Sequence, residues 1–299
     1  MKALMNLIAM FALLSLTCMH PAFSLTNEVK ALDTAAIDRE IGKRGETSAD
    51  VYKISLPRTD LKVLLQDSTV KSGFALGTWI AFKATGLGAA AHGDLVLTEE
   101  EVGTVIRLLE EQGFQITAVH NHLIGESPRL IYVHFWGQGE AGKLAHGLKE
   151  VLSKTKTPLE DKKDDASAEE LGFNAEQIEA VLGKKGSIKN GVLQISVPRS
   201  DTMTTEEVEL PPSMGMATIL KFQAAGGKSV MATGDFVLGK AEVHSVMKLL
   251  TERRVSITAL HNHLVDSSPA LFFMHFFVKD KPEKVAADLK AALNAMYTK

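Results

Sequence analysis

Six of the ten histidines in this chain fall into two short stretches that repeat each other. Ala118-Val119-His120-Asn121-His122-Leu123 is followed, twelve residues after His122, by His134, and Ala259-Leu260-His261-Asn262-His263-Leu264 is followed at the same spacing by His275. Residues two apart in a strand share a face. The spacing therefore predicts that His120 and His122 project together from the first strand of a β-hairpin, with His134 on the return strand. The same reading places His261 and His263 together, facing His275. Opposed Cβ atoms in an antiparallel pair lie about 4.5–5.5 Å apart, close enough for imidazoles to converge on one ion at about 2.0–2.1 Å from each nitrogen. Glu126, four residues after His122, is the candidate fourth ligand or catalytic general base. Three imidazoles and a carboxylate suit a divalent transition metal, whether zinc, iron, manganese or copper. The expected reaction class is hydrolysis by water activated on that ion. The competing expectation is a non-enzymatic module that binds metal or an unidentified small ligand.

The two copies differ around this pattern. The second keeps His261, His263 and His275 as metal ligands but has Ser267 where the first has Glu126, and Thr233 where the first has His92. The first copy is therefore expected to be the better equipped to hold or activate a water, and the second to be a remnant or structural copy. Asp94 and Asp235, each after a glycine, read first as turn caps and second as acceptors for an imidazole. Arg58 and Arg199 end matching strands and read as surface salt bridges or ligands for an anion. His146 and His244 have no counterparts and are expected on helix surfaces. Trp79, Trp136, Phe272, Phe273, Phe276 and Phe277 read as core or pocket wall. The chain contains no nucleophile elbow, P-loop or dinucleotide fingerprint.

What must position these residues is a duplicated domain. At an offset of 141, Ile37 to Gly45 matches Ile178 to Gly186, Ile54-Ser55-Leu56-Pro57-Arg58 matches Ile195-Ser196-Val197-Pro198-Arg199, and Gly93-Asp94 matches Gly234-Asp235. That period is far too long for a solenoid, so it predicts two tandem α+β domains, at 25–155 and 173–299, joined by a polar linker at 156–172. Each copy opens with an amphipathic helix stopped by glycine (Thr34 to Gly42; Ala175 to Gly183) and a strand stopped by Pro-Arg. A β-β-α-β-β-α core of antiparallel hairpins follows. Thr98 and Glu101 form a capping box for a helix whose stripe is Val102, Val105, Ile106 and Leu109.

Taken together, Ser55-Leu56-Pro57-Arg58-Thr59-Asp60-Leu61, Gly93-Asp94-Leu95-Val96-Leu97 with Glu101-Val102, and the His-Asn-His stretch with Ser127-Pro128 and His134 resemble the LppY/LpqO family of secreted bacterial proteins. The likeness spans essentially the whole mature chain as two copies. It implies export and carries no biochemical assignment. Where the family tends to have Gly-His-Gly-Asp, this chain has Gly137-Gln138-Gly139-Glu140 and, in the second copy, Val278-Lys279-Asp280-Lys281.

The remaining expectations come from composition and the first residues. Of 299 residues, 45% are hydrophobic and the formal charge is -3, which argues for a globular chain and against a nucleic-acid partner, since that needs a basic face. Lys2, the apolar run Leu4 to Leu16 and Ala22-Phe23-Ser24 have the form of a secretory signal cleaved near Ser24. A secreted or periplasmic protein with no membrane-spanning segment in the mature chain follows. Cys18, the single cysteine, lies inside that signal in a poor lipobox, so a lipoprotein is the less favoured form. Any metal in the mature chain must then use imidazole and carboxylate rather than thiolate ligands.

Overall fold

The computed structural model describes residues 29–160 and 171–296, so the expected signal segment and most of the linker (161–170) lie outside the described residues. The first repeat runs α1 (Thr34–Ile41), β1 (Glu46–Ser48), β2 (Val51–Pro57), β3 (Val63–Leu65), β4 (Ser68–Val70), α2 (Ser72–Ala75), β5 (Gly77–Thr85), β6 (Gly88–Thr98), α3 (Glu99–Glu111), β7 (Gln115–His120), β8 (Glu126–Ser127), β9 (Leu130–Gly139) and α4 (Ala141–Leu152). The second runs α5 (Ala175–Leu182), β10 (Ser187–Lys189), β11 (Val192–Pro198), β12 (Met203–Thr205), β13 (Val208–Leu210), a 3-10 turn (Pro212–Met214), β14 (Ala217–Ala224), β15 (Val230–Gly239), α6 (Val243–Glu252), β16 (Ser256–His261), β17 (Ser267–Ser268), β18 (Leu271–Asp280) and α7 (Pro282–Leu293). Two tandem α+β units with antiparallel sheets are what the repeat predicted.

Each unit has a six-stranded sheet, ordered β1-β2-β5-β6-β9-β7 in the first and β10-β11-β14-β15-β18-β16 in the second. Side chains alternate between the two faces of a strand, and here the alternation assigns two different jobs. Tyr52, Ile54, Ile80, Phe82, Leu95, Leu97, Val133 and Phe135 pack with Ile37, Val105, Leu109 and Leu148 of the helices. The intervening residues Val51, Ala81, Ala90 and Trp136 share a cluster with Met203, Val208, Met214 and Phe273 of the second repeat. In reverse, Val192 and Met231 of the second sheet pack with Val63, Val70 and Phe74 of the first repeat. The two sheets therefore face each other, with helices outside. The short segments that the sequence left unread, 63–76 and 203–216, reach across as reciprocal arms.

Phe74 and Met214, both fully buried in these arms, each contribute roughly 1.5–3 kcal/mol by leaving water. Polar contacts pin the same arms. Gln223 donates to Thr69 O at 2.7 Å and accepts from the Lys71 amide at 2.9 Å. The Trp136 indole donates to Glu206 at 2.9 Å.

Helix signals hold as read. Gly42 and Gly183 end α1 and α5 in the left-handed conformation, and Thr98 with Glu101 makes the capping box of α3. Two readings are corrected. Arg58 and Arg199 are not surface residues: Arg58 is fully buried, donating to Val96 O, Glu101 and Asp60 at 2.7–2.9 Å, and Arg199 repeats this with Val237 O, Glu242 and Asp201. Each arginine latches the end of one strand to the start of a helix. Asp94 and Asp235 are not turn caps either, because β6 and β15 begin at Gly88 and Val230 and run through them.

Candidate metal centre at the domain interface

The strand alternation that fills the interface with apolar side chains also aims the chemistry-bearing residues into it. On β6, Leu95 and Leu97 belong to the helix side, so His92 and Asp94 point toward the other repeat. On β9, Val133 and Phe135 face the helices and His134 faces the interface. The register pairs Asp94 with His134 and Asp235 with His275 across neighbouring strands. Gly93 and Gly234 permit close approach of the strand on the other side, β5 and β14 respectively. A Cβ on Gly93 would lie 2.5 Å from Trp79 O, and Gly234, at φ +150°, would place one 1.8 Å from Ile219 O.

The hairpin geometry differs from the spacing argument in one respect. β7 and β16 end at His120 and His261, so His122 and His263 lie beyond the strands rather than on them. Cross-strand partners of His134 and His275 are Ala118 and Ala259, and His120 pairs with Tyr132. The rings still approach: His120 lies 5.1 Å from His122 and 4.9 Å from His134 between centroids. Loop 121–125 is tied to β16 across the repeats. Asn121 donates to Thr258 O at 2.9 Å, and the Thr258 hydroxyl donates to His122 O at 2.7 Å.

All six predicted histidines meet, in three groups of which two mix the repeats. One group is His92, His134 and His263; a second is His120, His261 and His275; Asp94, His120 and His122 form a third. Within each group the potential ligand atoms lie within 4.8 Å of one another. The tetrahedral spacing for nitrogens about 2.0–2.1 Å from an ion is about 3.3 Å, which small side-chain rotations supply. Glu126 belongs to none of these groups. It is buried on β8 and accepts the Leu130 amide at 3.2 Å. Asp266 is exposed, and His146 and His244 are exposed on their helices.

The hydrogen bonds around the rings resemble those of metal ligands, whose second nitrogen is normally held by a carbonyl or carboxylate. Nδ1 of His92 bonds Phe135 O at 2.8 Å, and Nδ1 of His134 bonds Gly93 O at 2.9 Å. His275 Nδ1 lies 3.1 Å from Gly234 O and 2.5 Å from Asp235. His261 Nδ1 bonds Asn262 O at 3.0 Å. In all four the Nε2 atoms are buried without a partner, as is Nδ1 of His263.

Burial decides the charge state. It lowers the pKa of His92 to about 4, helped by the nearby Lys53 ammonium, and that of His261 to about 4, with His275 adding to the effect. His120, His122, His134 and His263 are held well below the ordinary value, first by burial and then by their neighbouring imidazoles. Neutral imidazole is the ligating form, so the donor set fits a transition-metal ion.

Two carboxylates and two amines complete the surroundings. Burial raises Asp94 well above the ordinary carboxylate value, and the charge of Asp235 adds to this. Burial also opposes ionisation of Asp235, but the attraction and hydrogen bond of His275 outweigh it and leave that carboxyl low. Lys53 stands over the Trp79 ring at 4.0 Å and is lowered to about 8, by burial and then by Lys221.

Sequence reasoning did not propose His92 as a ligand, nor Lys53 and Lys221 as neighbours. The signal for His92 was its place two residues before Asp94, on the same face of one strand. No such signal announces the two lysines, because they come from different repeats.

Among curated proteins, none matches this chain. One solved structure, crystal form I of TP0453, is 13% identical over 87% of this chain and 98% of that chain, with a TM-score of 0.18, too low to relate the two folds. A family model, Domain of Unknown Function (DUF1259), matches residues 35–154 and again 176–295. The chain therefore belongs to that family, as two tandem copies of its domain.

Proposed function

We propose that this is an exported protein of the LppY/LpqO type that binds a first-row transition-metal ion between its two repeats, at His92, His134 and His263. One observation carries the reading. The Nε2 atoms of His92 and His134 and Nδ1 of His263 are buried and unpartnered, while carbonyls hold the other nitrogen of His92 and His134. Leaving a buried polar atom unsatisfied costs about 1–3 kcal/mol, and coordination removes that cost for three atoms at once. The ion, when bound, would supply Lewis acidity. Zinc, copper, iron and manganese all remain compatible with an all-imidazole set.

The test is metal analysis of the mature protein after purification. His134→Ala and His263→Ala, in different repeats, should each lower occupancy of this site at least tenfold, with His146→Ala unchanged. Full retention in both variants would refute the reading. Export is part of the same proposal: the mature chain should begin near Leu25, and a mature terminus at an acylated Cys18 would replace it with a lipoprotein.

The hydrolytic reading is favoured by Asp94. Its Oδ1 is buried and unpartnered beside His120 and His122, which places a free carboxyl oxygen where a proton could be exchanged with a bound substrate. Asp94→Asn should then abolish turnover of any substrate found while leaving metal occupancy at His92, His134 and His263 unchanged.

A further inference from the structure

The histidines outnumber the ligands that one ion can take. Eight ring nitrogens from seven histidines are buried without a hydrogen-bond partner among the described residues, and a tetrahedral ion accepts at most four. The ring nitrogens do not form one large cluster. His92, His134 and His263 converge in one group, and His120, His261 and His275 converge in another that shares no residue with it. The two groups are neighbours, with ring centroids 4.9 Å apart for His120 and His134 and 5.3 Å apart for His261 and His263.

We propose that His120, His261 and His275 hold a second divalent transition-metal ion, so that the domain interface carries two ions side by side. The proposal goes beyond the single-ion reading above. Two of its three ligands are anchored through Nδ1, as two of the three are in the first site. His261 is fixed through Nδ1 by Asn262 O. His275 is fixed by Gly234 O and by Asp235 at 2.5 Å, a carboxylate–histidine pair of the kind that orients a ligand and raises its basicity. The competing group, Asp94 with His120 and His122, lacks this anchoring. His122 Nε2 lies 3.4 Å from Asp94 but makes no hydrogen bond.

The two sites differ in their access to solvent. His92, His134 and His263 are 0–3% exposed, whereas His120 is 8% exposed and His261 is only partly buried. Two of the second site's three ligands are therefore nearer solvent than any of the first, while His275 is 1% exposed. Three protein ligands leave a fourth position for water or a small ligand, as in sites that exchange or react. The second ion is thus the exchangeable one, and the first is the retained one.

The experiment is a cobalt(II) titration of the chelator-stripped, full mature chain, read by ligand-field absorption and by metal analysis after desalting. The expected result is two cobalt ions per chain, with a chelator then removing one quickly and the other at least tenfold more slowly. His261→Ala should abolish the fast equivalent and keep the slow one. His92→Ala should do the reverse. His261→Gln, with circular dichroism as a fold check, guards against a collapse of the interface in the alanine variant. Saturation at one ion that survives His261→Ala and His261→Gln would overturn the second site while leaving the first standing. Binding of no cobalt by the folded wild-type chain would overturn both.

Discussion

His120 and His261, one from each repeat, stack with ring centroids 3.7 Å apart and planes 29° apart. Around this pair the other separations come in matched twos. His134 to His263 is 3.9 Å and His275 to His122 is 4.0 Å; His120 to His134 is 4.9 Å and His261 to His275 is 5.0 Å. The two repeats are therefore related by an approximate two-fold passing between His120 and His261. His92 breaks that symmetry, because its equivalent is Thr233, whose hydroxyl donates to Phe276 O. The deep three-histidine group exists on one side of the axis only.

Acid should destabilise the metal-free protein well before carboxylates titrate. His92 and His261 have folded pKa values near 4, below the roughly 6.5 expected when unfolded. The unfolded chain thus binds more protons between those values, and stability is present above about pH 6.5 and lost as pH falls toward 4. His92 alone contributes on the order of 3 kcal/mol to that loss. Urea midpoints measured from pH 8 to 4.5 should fall along this window, and a flat profile would contradict the burial argument. Bound metal should shift the fall to lower pH.

Arg58→Met should cost about 3–5 kcal/mol, because it strands the buried Glu101 carboxylate. Arg199→Met should cost a similar amount through the buried Glu242, given the same latch in the second repeat. Denaturant unfolding reads both. A cost below about 1 kcal/mol, the usual value for exposed pairs, would contradict the buried latch.

Gly234→Ala should be the most damaging of the glycine substitutions, since the added carbon would sit 1.8 Å from a carbonyl oxygen on the neighbouring strand. A loss of roughly 3 kcal/mol or more is expected, at or above the upper range for overpacking. Gly77→Ala meets nothing within 4 Å and should leave the melting temperature nearly unchanged. Equal melting temperatures for the two variants would refute the close strand approach.

Glu206 accepts hydrogen bonds from Trp136 and Gln138, both at 2.9 Å and both in the other repeat. Glu206→Ala should weaken the interface by about 1.5–3 kcal/mol, the range for hydrogen bonds to a charged group. Trp136 fluorescence should shift red as its indole gains water. An unchanged emission maximum would show that the arm stays seated without this contact.

The duplication, the α+β class and the glycine-stopped helices were legible in the sequence, because offset, periodicity and capping are local or repetitive properties. So was the concentration of histidines. The short arms were not, since Val63–Leu65 and Met203–Thr205 are too brief for a period to show and join clusters that include residues of the opposite repeat. Nor was the buried state of Arg58, whose distant partners Val96 and Glu101 are brought to it only by the register of β2, β5 and β6.

Spacing alone assigned one ion to each hairpin, and that is the natural result when only contacts within a hairpin are visible. The tertiary structure placed both hairpins on facing sheets, and the ligand atom of His134 then grouped with those of His92 and His263 rather than with those of His120 and His122. A strand's alternation determines which face a histidine occupies. Which histidines share an ion is decided by what packs against that face, and here the packing partner lies 141 residues away.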